Sequence, residues 1–129
     1  MRLFLKLKML KTLFLILPFM LNSCASKKYP KFVDHLSPKM LRSIMLDNLG
    51  EFKNCTNWYY QISGDHRNYR ILFNFVIGKN GKVSKIKSVG EESLPLKLAN
   101  CLKTKIKLIT FPKSNQIVEV NQPFGFKHN

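Results

Sequence analysis

The stretch YRILFNFVIG, residues 69–78, constrains this chain more than any other. Ile71, Phe73, Phe75 and Ile77 would face one side, and Leu72, Asn74 and Val76 the other. Period two is the side-chain repeat of a β-strand, whose successive residues point to opposite faces. A face of two phenylalanines and two isoleucines needs a second layer to cover it. GKNGK follows, and Asn80-Gly81 predicts a tight hairpin turn because both positions tolerate positive φ. VSKIKSV, residues 83–89, is then the returning strand, with its lysines on a solvated face.

Helical periods flank this hairpin. Ser37 is placed to cap a helix, with Pro38 in the first turn, where its missing N–H costs nothing. From there Leu41, Ile44, Met45, Leu49, Phe52, Cys55 and Tyr59 recur at threes and fours, one face of a single helix running to about Tyr60. Gly50 weakens its centre by up to ~1 kcal/mol relative to alanine. SGDHRN, residues 63–68, reads as a loop. Beyond Gly90, Glu91, Glu92 and Ser93 suit a helix start, with Pro95 in the first turn. Leu94, Leu98, Cys101, Leu102, Ile106 and Ile109 form its apolar stripe, Lys103, Lys105 and Lys107 crowd its C-terminal end, and Phe111-Pro112 stops it. QIVEVNQPFGF is a last strand, with Pro123 suggesting a sheet edge. The order helix, strand, strand, helix, strand predicts an α+β domain, a small three-stranded sheet with two packed helices.

The beginning of the chain reads differently. Arg2, Lys6, Lys8 and Lys11 precede an apolar run over residues 12–21. That run is too short for a bilayer span, which needs about 20 apolar residues, and it has the form of a secretory signal peptide. Leu21-Asn22-Ser23-Cys24 resembles the bacterial lipobox, which implies cleavage before Cys24 and lipid on its sulfur. The expected organisation is a signal peptide over 1–23, a tether over 24–36 and a folded domain over 37–129. Alanine rather than aspartate at position 25 favours the outer membrane, by resemblance to known sorting rules. The competing reading is an uncleaved anchor helix with an incidental cysteine.

Charge narrows the partners. The chain has 22 Lys+Arg against 7 Asp+Glu, a formal +15. Cleavage before Cys24 would remove four of those cations and no acid, leaving +11 on about 105 residues, enough for one small domain. So basic a chain would ordinarily raise nucleic acid as a partner. An exported lipoprotein does not meet it, so anionic headgroups, lipopolysaccharide phosphates or acidic proteins become the counter-charges. The bland alternative is that the lysines only solvate the surface.

The ordered landmarks resemble the AgmX/PglI C-terminal domain family, a relative of the TonB/TolA C-terminal domain. They are Asn48 and Cys55, the aromatic strand ending in Ile77-Gly78, NGKV at 80–83, Cys101, Phe111-Pro112, Pro123-Phe124 and Phe126. The resemblance implies a protein-binding domain acting as an adaptor in a cell-envelope complex for gliding, transport or surface assembly. It also implies that an extended partner segment is taken as an added strand, with main-chain hydrogen bonds giving affinity. The edge expected to do this is the last strand, with Ile117, Val118, Val120, Phe124 and Phe126. A different reading has the basic surface bind lipopolysaccharide or anionic lipid directly.

Cys55 and Cys101 lie on the apolar stripes of the two helices. In an oxidising envelope a disulfide between them is favoured; the alternative is two buried thiols serving as small apolar fillers. Catalysis has little support. His35, His66 and His128 are scattered, Asp65-His66 has no nucleophile spaced to use it, and no CxxC or HExxH metal pattern occurs. No cofactor or small-molecule substrate is therefore expected. Trp58, Tyr59 and Tyr60 are expected in the core, with a binding edge as their minority reading.

Overall fold

The computed structural model describes residues 29–89 and 95–127. The proposed signal peptide, Cys24, the capping group Glu91–Ser93, Leu94 and His128 lie outside the described residues. The elements are β1 (Phe32–Val33), α1 (Pro38–Asp47), α2 (Leu49–Ser63), β2 (Tyr69–Ile77), β3 (Val83–Val89), α3 (Leu96–Leu108), β4 (Lys113–Ser114) and β5 (Val118–Phe126). The described residues form an α+β fold, with three helices among them rather than two.

β2 is the centre of the main sheet, whose order is β3-β2-β5, and both neighbours run antiparallel to it. Its alternation is obeyed: Ile71, Phe73, Phe75 and Ile77 are buried, while Leu72, Asn74 and Val76 are half-buried. The buried set joins Phe52, Leu98, Leu102 and Ile106 in one apolar core. Fully burying a side chain of this size contributes about 1.5–3 kcal/mol, so the aromatic strand and the helices over it carry most of the favourable term. Phe124 of β5 meets Phe52 edge-on with ring centres at 4.9 Å, Phe73 at 5.6 Å, and stacks on Phe126 at 6.0 Å.

The first helix breaks at Asn48. Its side-chain Nδ2 donates to the Ile44 carbonyl at 2.8 Å, the acceptor that its own backbone N–H also reaches at 3.3 Å. Such competition for a helical carbonyl favours a break over continuation. Ser37 caps α1 as expected, accepting from the Met40 N–H at 3.2 Å. α3 begins at Leu96, so Pro95 is the residue before the helix and not part of its first turn.

The hairpin turn also differs from expectation. Only Gly81 has positive φ, 77°; the loop is closed by Gly81 N–H to Gly78 O and by Gly78 N–H to Lys82 O, both 2.9 Å. Asn80 instead turns its side-chain oxygen to the Lys82 N–H at 3.1 Å. This is a three-residue loop whose last position needs the left-handed region. The Gly81 carbonyl then accepts from Phe111 N–H at 2.9 Å, so the turn is stitched to the segment after α3.

Part of the expected tether belongs to the fold. β1 pairs in parallel with β4, Leu36 is buried, and Tyr29 and Val33 pack against the core. The Tyr29 hydroxyl donates to the Asp47 carboxylate and lies 3.2 Å from Ser43 Oγ. A two-residue bridge has no period to betray it in sequence.

α2 and α3 are joined by a disulfide between Cys55 and Cys101, Cα atoms 5.8 Å apart and 46 residues apart in sequence. Lys105 Nζ donates to Glu51 Oε2 at 2.7 Å across the same pair of helices. Closing a loop of this length stabilises by about 4 kcal/mol in the chain-entropy model. Replacing both cysteines with alanine should therefore lower the unfolding free energy by up to about 4 kcal/mol in urea titrations. An unchanged midpoint and slope would contradict the cross-link. Gly81→Ala should cost about 2–3 kcal/mol, because its Cβ would sit 2.1 Å from the Phe111 carbonyl oxygen at a φ that disfavours any side chain. Thermal unfolding of that variant, compared with wild type, measures it.

Candidate partner-binding groove

A three-stranded sheet has two edges, and the chain treats them differently. β3 is interrupted by a bulge opposite β2, where Lys85 takes φ 52°, and Lys85 and Lys87 are exposed along it. Thr110 bridges to Lys82 just before β3 begins. Bulges and lysines are the usual protection of an edge against stray pairing.

β5 is the longer and flatter edge, in unbroken register with all nine residues of β2. Pro123 stands opposite Leu72 and has no N–H to give. Its main-chain groups therefore belong on the side away from β2. Antiparallel ladders alternate sides along the strand, so the amides of Glu119, Asn121 and Gly125 share that free side. The Pro123 carbonyl is already met by Gln122 Nε2 at 3.0 Å. The edge thus offers main-chain partners on either side of one guarded position.

A groove of about 1030 Å³ runs alongside this edge, between β5 and the broken helix. Leu41, Met45, Leu46 and Leu49 make its apolar wall on α1 and the start of α2, and Thr56 and Tyr60 continue it. Val120, Phe124 and Phe126 close it from β5, while Arg42, Lys53 and Lys127 line its mouth. Leu46 is 57% exposed there, although it carries no polar group to justify contact with water. The break at Asn48 lets two helical segments line one trough.

One end of the groove is set by a polar knot. The Tyr60 hydroxyl donates to the Arg67 carbonyl at 3.0 Å, which pins the loop over residues 64–68. Asp65 accepts from Arg67 Nη2 at 2.9 Å, from its backbone N–H at 3.0 Å, and from the Tyr69 hydroxyl. These donors hold the Asp65 carboxyl well below the usual carboxylate range, the Arg67 side-chain bonds first among them. Burial, then the Asp65 partner, pushes the Tyr69 phenol up. The Tyr60 phenol is also raised, mainly by burial.

The residues expected to form the binding edge are brought together on β5, but not as a row of outward side chains. Val120 and Phe126 are only 9% and 7% exposed and belong to the core, and Phe124 is wedged among aromatic rings. Val118 is half-buried, and Ile117, 65% exposed, precedes the strand. What the edge offers is backbone. The helical wall was missed in the sequence; its signal was Leu46, apolar yet beside the stripe. Tyr59 and Tyr60 are core residues as expected, whereas Trp58 is 44% exposed. Among the described residues His35 and His66 stand in separate segments, and no cluster of metal-ligating side chains forms. No described helix is long and apolar enough to cross a membrane. No family model, curated protein or solved structure matches this chain.

The sign of the pH response follows from the two shifts. Asp65, with its pKa lowered, supports the loop fully above about pH 4 and loses that support as pH falls toward its folded value. Tyr69, with its pKa raised, supports it below about pH 10 and loses it above. Amide exchange of residues 64–68 should therefore quicken, relative to intrinsic rates, at both extremes. Asp65→Asn should show the faster exchange already at neutral pH, and unaltered protection in that variant would contradict the knot.

Proposed function

We propose that this chain is a non-catalytic envelope lipoprotein, lipidated at Cys24, whose domain takes an extended segment of a partner protein along the free edge of β5. The observation that carries this reading is the groove itself: a nine-residue edge strand with an apolar helical wall facing it. Strand addition uses both halves of that arrangement. Main-chain groups at Glu119, Asn121 and Gly125 would pair with the incoming strand, and its alternate side chains would enter the trough beside Leu46 and Leu49. The likeness to TonB-type domains points the same way, toward an adaptor in a gliding, transport or assembly complex. Fold does not fix function, so the site and not the family likeness bears the weight.

The lipid has a physical part in this. Two or more acyl chains hold a protein firmly at a bilayer, at about 0.8 kcal/mol per buried methylene. A domain so tethered meets a membrane-borne partner at high effective concentration. Outer-membrane placement follows from Ala25.

Two measurements in the native cell test the reading. Cys24→Ser should move the protein from the membrane to the soluble fraction, and intact mass of the wild type should show an acylated chain starting at Cys24. A photo-crosslinking residue at Asn121 should give one dominant protein adduct, joined through a short internal segment of the partner. Adducts to lipid or lipopolysaccharide alone would sink the adaptor reading in favour of direct surface binding.

A further inference from the structure

The charges around the groove say more about its occupant than the strand alone does. Arg42 on α1, Lys53 on α2 and Lys127 after β5 all line it, all are exposed, and no acidic side chain among the described residues lines it. None of the three is engaged in an ion pair among the described residues. The acids of the neighbouring helices are committed elsewhere: Asp47 receives the Tyr29 hydroxyl, and Glu51 receives Lys105. Glu119 turns to the opposite face of the sheet, where its Oε1 accepts from Asn74 Nδ2 at 2.8 Å. The trough therefore joins an apolar wall to neutral polar side chains, among them Asn57, Gln61 and Gln122, and its only charged lining among the described residues is cationic.

We infer that the partner segment is an acidic β-strand whose trough-facing side chains are apolar beside Leu46 and Leu49 and carboxylates where they reach Arg42, Lys53 and Lys127. This rests on the strand-addition reading and deepens it. Every second side chain of the incoming strand faces the trough, and that one face carries both parts: apolar side chains meet Leu46, Leu49 and the β5 ring edges, and acidic ones further along the same face reach the cations. Rim charges act chiefly on choice of partner and on encounter rate, so they discriminate among apolar strands that would otherwise pair alike.

Two rival occupants are disfavoured by the same charges. A second copy docked edge to edge would bring Arg42, Lys53 and Lys127 against their own counterparts. The chain's first 28 residues supply apolar side chains but carry Arg2, Lys6, Lys8, Lys11, Lys27 and Lys28 with no acid. Like charge would meet like charge in both cases.

The test uses the full acylated chain in neutral detergent and three capped peptides with serine at every second position, whose other, trough-facing positions are valine in the middle and glutamate, glutamine or lysine at both ends. The glutamate peptide should bind about tenfold more tightly than the glutamine one, as expected of a few rim ion pairs acting together. It should also slow amide exchange over residues 118–127, and the double variant Arg42→Glu, Lys53→Glu should lose the preference or reverse it. Both residues are exposed, so the fold is retained. Equal binding of the glutamate and glutamine peptides, with β5 still protected, would overturn the acidic strand while strand addition stood. Protection by none of the three would bring down the strand-addition reading as well. Protection by phosphatidylglycerol vesicles in place of any peptide would assign the cationic mouth to lipid headgroups, and overturn both.

Discussion

β2 is hydrogen-bonded along both of its edges, and the rest of the domain is arranged around that one strand. Its buried face of Ile71, Phe73, Phe75 and Ile77 must be covered, and α2, α3 and Phe124 are what cover it. Because β2 occupies the centre of a three-stranded sheet, each of its neighbours is left with an edge that no strand satisfies. An unpaired row of amides and carbonyls is a hazard unless it is guarded or used. β3 is guarded by its bulge and lysines; β5 is guarded at one position only, by Pro123 and the Gln122 side chain. The proposed site is thus a consequence of how the sheet is built, not an addition to it.

The rigidity of that site comes from elements that do not touch it. The segment after α3 is fastened three times: Phe111 to the Gly81 turn, Lys113 to Lys31, and Ser114 to Lys79, each at 2.9–3.0 Å. Phe111 sits 6.5 Å from Phe75 in the core, so the stitching and the packing reinforce one another. The disulfide holds α2 against α3, and β5 follows the fastened segment in the chain. The loop at 64–68 is tied down separately by Asp65. A strand-adding site benefits from this, since a preorganised edge spares the entropy of ordering it on binding.

Much of this was legible in the residues. The limits of β2 and β3, the α+β class and the Ser37 cap follow from periods and residue types that act locally, whereas the cysteine pairing was expected only on the ground of an oxidising compartment. The errors share a physical cause, which is competition between groups distant in sequence or nearly equal in energy. Asn48 could continue a helix or capture its carbonyl, and only the packing of the two segments decides between them. Asn80 could take positive φ, but Gly81 takes it, its carbonyl accepting from the Phe111 N–H where the Phe111 carbonyl leaves no room for a Cβ. Residues 29–36 carry no period, and they become part of the fold through β4, some eighty positions further on.

Sequence by itself determined the strand faces, the helix stripes and the surplus of positive charge, because each is set by neighbours within a few residues. The tertiary structure alone decided that Val120, Phe124 and Phe126 turn inward, against the core and the aromatic rings. It also decided that Arg42, Lys53 and Lys127, from three separate segments, share one trough with no acid among them. Burial and juxtaposition depend on which surfaces meet when the helices close over β2, and no local pattern encodes that meeting.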